Sequence, residues 1–356
     1  MKKILIPLGT KHNRGKIFPI FIPFLGCPFR CIFCSQEKQT GTNHKNLIQI
    51  LQEKKQEFIN FLEYTKEKTI DLAFYGGTFT ALPEKDFNLC LDFFISCKEL
   101  AQKKGFFLQG RCSTRPDCVN NNQALMLLKN YGINLIELGI QSFNDVVLTQ
   151  SKRGYQSEIA QNACKTILEQ GYELGIQLMA GLPNQTTTIF LNDVKKALSY
   201  NPHCLRYYPC LVPQDTQLAN LYLQGKFRTW NYEETVLTLG EALAYAWENY
   251  TPVIRLSVAP EKDFDKIILA GVRSPSLGSA IMGQALLYSI QKKLTKERYD
   301  KNACYLNLPF FTQGFLFGEK NILKEKWQQL LPLSHITYIN DLTNTNKAEL
   351  IFVNKD

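Results

Sequence analysis

Apolar and polar positions follow two different periods along the chain, and each period predicts a different element. Short, almost wholly apolar runs such as "IDLAFY" and "NLIELGI" are typical of strands buried on both faces of a sheet. Between them, apolar residues recur every three or four positions, which predicts helices. The pattern predicts strands at 17–25, 70–77, 106–113, 134–141, 172–180 and 203–208, alternating with helices at 47–67, 84–104, 121–131, 157–170 and 188–199.

Strands that alternate with helices of this length form βαβ units around a parallel sheet. Six strands in an unbroken series favour an α/β fold, a partial (β/α)6 TIM-like barrel, with a doubly wound open sheet as the alternative. Both place ligands at the carboxyl ends of the strands. Helix 232–250 and strand 252–258 extend the unit. Because the pattern turns charged and less periodic near 286, we expect a main domain, 1–285, and a small C-terminal appendage, 286–356.

Composition and charge narrow the class of protein. Hydrophobic residues make up 45% of the chain and charged residues 21%, an ordinary balance for a globular protein. The apolar runs are too short or too interrupted for a membrane span, and the N-terminus does not fit a signal peptide, so we expect a cytoplasmic protein with no membrane partner. The net charge of +9 fits an RNA partner. Because Lys and Arg are dispersed, it fits a basic enzyme as well.

A cluster of three cysteines follows the first predicted strand. Cys27, Cys31 and Cys34 are spaced C-x-x-x-C-x-x-C in "GCPFRCIFC". Thiolates select zinc, copper(I) or iron–sulfur clusters, and a second ligand pair of the kind zinc sites use is missing from the sequence. Three thiolates suit a [4Fe–4S] cube whose fourth iron takes another ligand. The alternative is three buried apolar cysteines.

Other polar or glycine-rich motifs lie at the ends of the next strands. "YGGTF" closes the second strand with Gly76 and Gly77, which allow a ligand to approach the backbone or simply form a turn. Arg111 and Arg115 in "GRCSTRPD" offer clamps for a carboxylate or phosphate, or a structural pair with Asp117.

The fourth and fifth predicted strands carry polar residues where a buried strand should be apolar. Glu137, Gly139 and Gln141 share one face of their strand, and Gln177 and Met179 share a face of the next. Such groups bind a ligand or satisfy one another. On the sixth strand, Arg206, Tyr207 and Tyr208 either line a substrate mouth or form a buried aromatic strand.

In combination these motifs resemble the radical S-adenosylmethionine (SAM) enzymes. The resemblance implies that Cys27, Cys31 and Cys34 hold a [4Fe–4S] cluster whose open iron is chelated by SAM. One electron then cleaves SAM to a 5′-deoxyadenosyl radical, which abstracts hydrogen from the substrate. The implied SAM-binding residues are the adenine neighbours Phe33 and Met179, the methionyl turn Gly76, Gly77 and Thr78, the ribose neighbours Gln141 and Ser142, and Gln177. Lys152 and Arg153 in "SKRGY" match a basic loop that, by the same resemblance, reaches the carboxylate of SAM.

"STRPD", "ELGIQSFND", "SKRGY" and "GIQLMAGLP" together are similar to the Elongator catalytic-subunit branch of this superfamily. That branch modifies the wobble uridine of tRNA and joins the radical domain to an acetyltransferase domain, for which residues 286–356 are too few. The resemblance implies radical chemistry on an RNA base, tRNA as a candidate partner, and an electron donor such as flavodoxin or ferredoxin. It leaves the oligomeric state open.

Two alternatives remain open at this point. One is the same chemistry on a tetrapyrrole or small metabolite, as in the coproporphyrinogen dehydrogenase branch. The other is a non-catalytic iron–sulfur or zinc protein. Candidate phosphate contacts for an RNA substrate lie in two basic patches, Lys2, Lys3, Lys11, Arg14 and Lys16 near one end and Lys292, Lys293, Lys296 and Arg298 near the other.

Overall fold

A computed structural model describes residues 2–9, 14–22, 24–35, 46–258, 262–296, 299–339 and 346–353; Lys11 and Arg298 lie outside these ranges. The central unit alternates strands and helices close to the predicted positions. Its strands are β2 (Lys16–Phe21), β3 (Thr69–Tyr75), β4 (Phe107–Thr114), β5 (Ile133–Gln141), β6 (Glu173–Ala180), β7 (Cys204–Pro209) and β9 (Val253–Arg255). Its long helices are α1 (Leu47–Tyr64), α2 (Glu84–Lys103), α3 (Asn122–Tyr131), α5 (Ser157–Glu169), α6 (Thr187–Leu198) and α8 (Tyr232–Glu248).

The seven strands form one parallel sheet in the order β2-β3-β4-β5-β6-β7-β9. The order follows the chain without reversal, whereas a doubly wound sheet reverses its order at a switch point. The sheet is therefore a curled half-barrel, which confirms the predicted partial barrel. The seventh strand, β9, lies within the predicted strand 252–258 that extends the series of six, and it is shorter than predicted.

The helices cover the outer face of this sheet with apolar side chains. Strand β3 turns Ile70, Leu72 and Phe74 outward into the core, and all three are fully buried. Helix α5 buries Ala160, Ala163, Cys164 and Ile167, at spacings that place them on one helical face. Because alternate strand residues point to opposite faces, the other residues of each strand face the barrel interior, where the candidate site lies.

Shorter elements complete the unit at its ligand-binding end. These are α4 (Asp145–Gln150), β8 (Val212–Pro213), α7 (Gln217–Leu223), α9 (Lys262–Lys266) and β10 (Ile268–Ala270). Strand β8 pairs with β10 in an antiparallel ribbon. Residues of α4, β8 and α7 pack with Ile32 of the cysteine loop in a second apolar cluster, separate from the main core.

A second sheet joins the two ends of the described chain. It consists of β1 (Lys2–Pro7), β13 (Lys347–Phe352), β11 (Cys304–Pro309) and β12 (Ile336–Ile339), in that order. Helix α10 (Leu277–Leu294) packs against α8, and helix α11 (Lys324–Leu330) buries Trp327 completely. Helix α10 spans the predicted boundary near 285, and β1 pairs with β13; the division into two domains stays a prediction.

Within the described ranges, none of the helices combines the length and the apolar character needed to cross a membrane.

Candidate functional site

The cysteine loop begins where β2 ends, at the carboxyl edge of the sheet. A tight turn opens it, in which the Cys27 amide donates to the carbonyl of Phe24 at 3.1 Å. A second turn follows, in which the Cys34 amide donates to the carbonyl of Cys31 at 3.1 Å. Cys31 is buried, and Cys27 and Cys34 are half-buried. The loop therefore presents its thiols at the end of the barrel, where the sequence predicts a ligand.

The glycine turn after β3 fixes the position of this loop. Gly77 has a φ of +60°, and a Cβ there would lie 2.2 Å from the carbonyl oxygen of Leu25. The next residue, Thr78, donates its amide to that same oxygen at 2.7 Å. In return, a Cβ on Gly26 would lie 2.3 Å from the carbonyl oxygen of Thr78. Two backbone segments thus interlock at a distance that only glycine permits.

The thiols of Cys27 and Cys31 have different neighbours. The Sγ of Cys27 lies 3.2 Å from the hydroxyl of Thr78. Burial raises the pKa of the Cys27 thiol, although Thr78, Arg115 and Arg153 act in the opposite direction. The Sγ of Cys31 accepts from Arg153 Nη1 at 2.9 Å and from Arg115 Nη1 at 3.8 Å. Two buried cations therefore converge on one of the three thiols.

Both arginines are held firmly by neighbouring groups. Arg115 donates to both oxygens of Asp117, at 2.9 and 2.8 Å, as the structural alternative in the sequence analysis expected. Arg153 donates from Nε and Nη2 to the hydroxyl of Tyr155, at 3.2 and 2.9 Å, and also to the carbonyl of Gly139. Since these contacts occupy the rest of each guanidinium, their Nη1 groups are directed at Cys31.

A buried network of ionic side chains fills the barrel interior below this loop. Arg111 donates to Asp71 at 2.7 Å and to Glu137 at 3.0 Å. Glu137 also accepts from Tyr75 at 2.8 Å and from Arg206. Burial acts to raise the pKa of Glu137, but Arg206 and Arg111 together hold it below its ordinary value. The polar face predicted for β5 is thus satisfied within the protein at Glu137.

The predicted ribose neighbours Gln141 and Ser142 lie at the end of β5, beside Gln177 of β6. Gln177 Nε2 donates to Gln141 Oε1 at 3.2 Å, and Gln141 has a φ of +73°, a strained conformation for a residue other than glycine. Ser142 is fully buried and donates its hydroxyl to Asp193 at 2.6 Å. Gln185 also donates to Asp193, at 3.2 Å. Burial raises the pKa of Asp193 to about 6.

Of the other predicted site residues, Phe33 and Met179 lie near the cysteine loop, whereas Tyr207 lies elsewhere. Phe33 and Met179 both pack against the second apolar cluster, beside the cysteine loop, which places both predicted adenine neighbours in one region. Tyr207 instead lies in the main core, with its ring edge against Phe190. Its hydroxyl is buried and has no hydrogen-bond partner among the described residues. This position matches the buried aromatic strand that the sequence analysis left as the alternative.

The residues present fit an anionic iron–sulfur cluster better than a single metal ion. Across the ranges that the structure describes, no three His, Cys, Asp or Glu side chains converge on one point suitable for a metal ion. A cube binds each thiolate to a different iron, so its ligands need not converge. Thiolates are the donors such clusters take, and the two arginines at Cys31 complement a negative charge.

Sequence reasoning missed several residues that organise the site. Asp71 forms a buried ion pair with Arg14, whose Nε lies 2.9 Å from Asp71 Oδ2, at the base of the ionic network. The prediction of Arg14 as a phosphate contact is therefore wrong, because its side chain is buried against Asp71. The signal for Asp71 was its charge inside the apolar strand "IDLAFY". Asp193 and Gln185 offered no such signal, because polar residues in a helix or in the loop before it are ordinary.

A half-barrel with a three-cysteine loop after its first strand, a glycine turn after the second, and polar residues at the following strand ends defines the class of radical SAM enzymes. Two family models agree with this class. The Radical SAM superfamily model matches residues 21–196, and the Radical_SAM C-terminal domain model matches residues 202–284. The chain belongs to the radical SAM superfamily and is an enzyme of that group. Its cofactors are therefore a [4Fe–4S] cluster and SAM.

Curated relatives support the predicted branch. The chain is 28% identical over 326 residues to a tRNA uridine(34) acetyltransferase of Methanocaldococcus infernus, covering 79% of this chain and 59% of that protein. It is 26% identical over 209 residues to the Heme chaperone HemW of Bacillus subtilis, covering 58% of this chain and 53% of that protein. The chain thus spans between about half and three-fifths of the length of these two curated relatives.

A solved structure supports the fold. The archaeal Methanocaldococcus infernus Elp3 with an N-terminal deletion superposes with a TM-score of 0.58 at 20% sequence identity, covering 78% of this chain and 63% of that chain. At this identity the likeness shows the shared half-barrel alone. The curated relatives confirm the predicted resemblance to the Elongator catalytic-subunit branch.

Proposed function

We propose that this chain modifies a base of tRNA by radical SAM chemistry at the end of its half-barrel. Cys27, Cys31 and Cys34 would hold the [4Fe–4S] cluster, because they are the thiols that the loop presents at the ligand-binding edge. When bound, the cluster and SAM supply the organic radical that removes hydrogen from a carbon of the substrate. The remaining roles belong to the side chains and backbone around the loop.

The neighbouring strand ends supply binding groups for SAM. Gly76 would let a methionyl amine approach the backbone of the turn, whereas Gly77 is packed against Leu25 and holds the cysteine loop in place. The side chain of Thr78 is directed at Cys27. Gln141 and Gln177 offer amide groups for ribose hydroxyls, while Ser142 is already bonded to Asp193 and would orient the strand end. Phe33 and Met179 would form apolar walls for the adenine.

The barrel interior would isolate the reaction. The ionic network of Asp71, Arg111, Glu137 and Arg206 closes the space below the cysteine loop with side chains that satisfy one another. A buried network whose members hydrogen-bond to one another is rigid. Exclusion of water at this end would protect the radical from side reactions.

We choose tRNA as the substrate because the chain is similar to the tRNA uridine(34) acetyltransferase over 79% of its length. The net charge of +9 agrees with a polyanionic substrate. We place the reaction in the cytoplasm, with a one-electron donor such as flavodoxin or ferredoxin. Since the chain spans only part of those relatives, acetyl transfer is not included in the proposal.

Anaerobic reconstitution tests the chemistry. The chain, supplied with iron, sulfide, dithionite and SAM, should bind about four irons per chain and release 5′-deoxyadenosine, as expected for a [4Fe–4S] cluster. Cys31→Ala should lose both properties. Cys304→Ala is the matched control, because Cys304 is buried like Cys31 but lies in β11 of the second sheet, and it should retain them. Equal iron binding by the two variants would refute the assignment of Cys31.

Binding to tRNA tests the substrate. A tRNA substrate requires an affinity that falls steeply with salt concentration, because phosphate contacts release counterions. The chain should bind unmodified tRNA in a filter or gel-shift assay at low salt and release it as the salt concentration rises. Absence of binding at low salt, in a chain that still cleaves SAM, would refute an RNA substrate.

Radical SAM chemistry on a tetrapyrrole is the second candidate function, favoured by the similarity to the Heme chaperone HemW over 58% of the chain. It predicts that haem or a porphyrinogen binds the reconstituted chain and shifts its visible spectrum. If tRNA does not bind and a tetrapyrrole does, the second candidate replaces the first. Release of 5′-deoxyadenosine does not distinguish the two, since both use the same chemistry.

A further inference from the structure

The thiols of Cys27 and Cys31 differ in the charge that surrounds them. Arg153 Nη1 lies 2.9 Å from the Sγ of Cys31, and Arg115 Nη1 lies 3.8 Å from it. Both arginines are 4% exposed. The Sγ of Cys27 has the neutral hydroxyl of Thr78 as its hydrogen-bonding neighbour instead. Positive charge is therefore concentrated at Cys31.

Such an arrangement has a direct effect on a cluster held by these thiols. One-electron reduction adds a negative charge, and a nearby fixed cation stabilises the more negative state. Hydrogen bonds to the sulfurs also set the potential of a cluster. Buried charges are screened by salt much less than exposed ones, so the effect of these two arginines should persist at physiological ionic strength.

We propose that Arg153 and Arg115 are positioning residues that raise the reduction potential of the cluster through Cys31, and that Asp117 offsets part of the charge of Arg115. The proposal rests on the proposed function, because it takes Cys31 as a cluster ligand. In this proposal the buried charges of the chain set the reduction potential of the cluster. Substitutions of opposite charge should move that potential in opposite directions.

The contacts of Arg153 favour this role over the one implied by resemblance, in which it reaches the carboxylate of SAM. Its Nε and Nη2 groups donate to Tyr155 and Gly139, and its Nη1 group donates to Cys31. The guanidinium is thus fixed by the protein before SAM binds. A residue whose main role is to bind a carboxylate would direct its paired donors outward.

The test is a redox titration of the full-length reconstituted chain, followed by electron paramagnetic resonance, with dithionite and mediators and without SAM. Arg153→Gln should lower the potential and Asp117→Asn should raise it. We expect about a tenfold change in the reduction equilibrium for each, which is about 59 mV for one electron. Lys292→Gln is the matched control: it also removes a cation, but one paired with Glu248 on α8, and the potential should not change.

Each other outcome overturns a stated part of the proposal. Unchanged potentials in both site variants would refute it, and so would a loss of SAM affinity in Arg153→Gln without a change in potential. If Arg153→Gln does not fold, Asp117→Asn decides the question, because Asp117 is partly exposed and its sign is opposite. A parent chain that binds no cluster would instead refute the proposed function, and this inference with it.

Discussion

The interlock between the glycine turn and the cysteine loop predicts that Gly77→Ala will damage the site more than an equally strained glycine elsewhere. Gly105 supplies the matched control. Its φ of +74° is close to the +60° of Gly77, but nothing lies within 4 Å of a Cβ at Gly105. The two substitutions therefore carry a similar backbone penalty and differ in what the new methyl group meets.

The expected magnitudes follow from those contacts. A left-handed conformation costs an L-residue about 1–2 kcal/mol, which both variants incur. In Gly77→Ala the methyl group would lie 2.2 Å from the carbonyl oxygen of Leu25, so that carbonyl must withdraw. Its hydrogen bond with the Thr78 amide, now 2.7 Å, is then lost at a cost of about 1 kcal/mol. We expect a destabilisation of about 2–3 kcal/mol, against about 1–2 kcal/mol for Gly105→Ala.

Two measurements separate the variants. Urea unfolding of the cluster-free chains gives the loss of stability, and iron bound per chain after anaerobic reconstitution gives the effect on the loop. Gly105→Ala should bind the parent's amount of iron, and Gly77→Ala should bind less, because its cysteine loop is displaced. If both variants lose equal stability and bind equal iron, the close approach at Leu25 does not fix the loop.

Three further substitutions test the buried polar groups. Glu137→Gln should lower the free energy of unfolding by about 3–5 kcal/mol, because it leaves Arg111 and Arg206 without their shared carboxylate. Because the pKa of Glu137 is held below its ordinary value, the stability contributed by its carboxylate is present above the ordinary pKa and is lost as pH falls through the folded-state pKa. Equal urea midpoints for the parent and Glu137→Gln at pH 7 would contradict this prediction. Burial raises the pKa of Asp193 to about 6, so the stability that its protonated form contributes is present below the unfolded pKa and is lost as pH rises through about 6. The free energy of unfolding of the parent minus that of Asp193→Asn should therefore decline between about pH 4 and 6. A difference that stays constant over this range would refute the prediction. Tyr207→Phe removes a buried hydroxyl without a partner among the described residues and should leave the chain as stable or up to about 1–3 kcal/mol more stable, with 5′-deoxyadenosine release unchanged; a fall in release would instead support a role for Tyr207 at the substrate.

The half-barrel could be predicted from the sequence because its signal is local. The apolar run of β3 and the helical spacing of α5 are each contained in a few adjacent residues, so the structure places them within one or two residues of the prediction. The cysteine spacing is local too. Motifs of this kind carry their information within a single loop.

The charges around the site could not be predicted, because their partners are distant in the sequence. Arg153 and Arg115 lie 122 and 84 positions from Cys31, and Arg14 lies 57 positions from Asp71. Only the register of the strands brings these groups together. The sequence therefore left Arg115 with two readings, a ligand clamp or a partner for Asp117, and the structure shows the contact with Asp117.

The pairing of β1 with β13 has a consequence for the order in which the chain folds. Strand β1 is synthesised before the half-barrel, yet its neighbour in the sheet is the strand formed by residues 347–352, which is synthesised after the half-barrel. The half-barrel needs only contacts between successive βα units, and these become available as the chain emerges. While the half-barrel forms, residues 2–7 therefore have no β13 with which to pair. A chain whose synthesis stopped before residue 347 would keep that strand edge exposed and prone to aggregation.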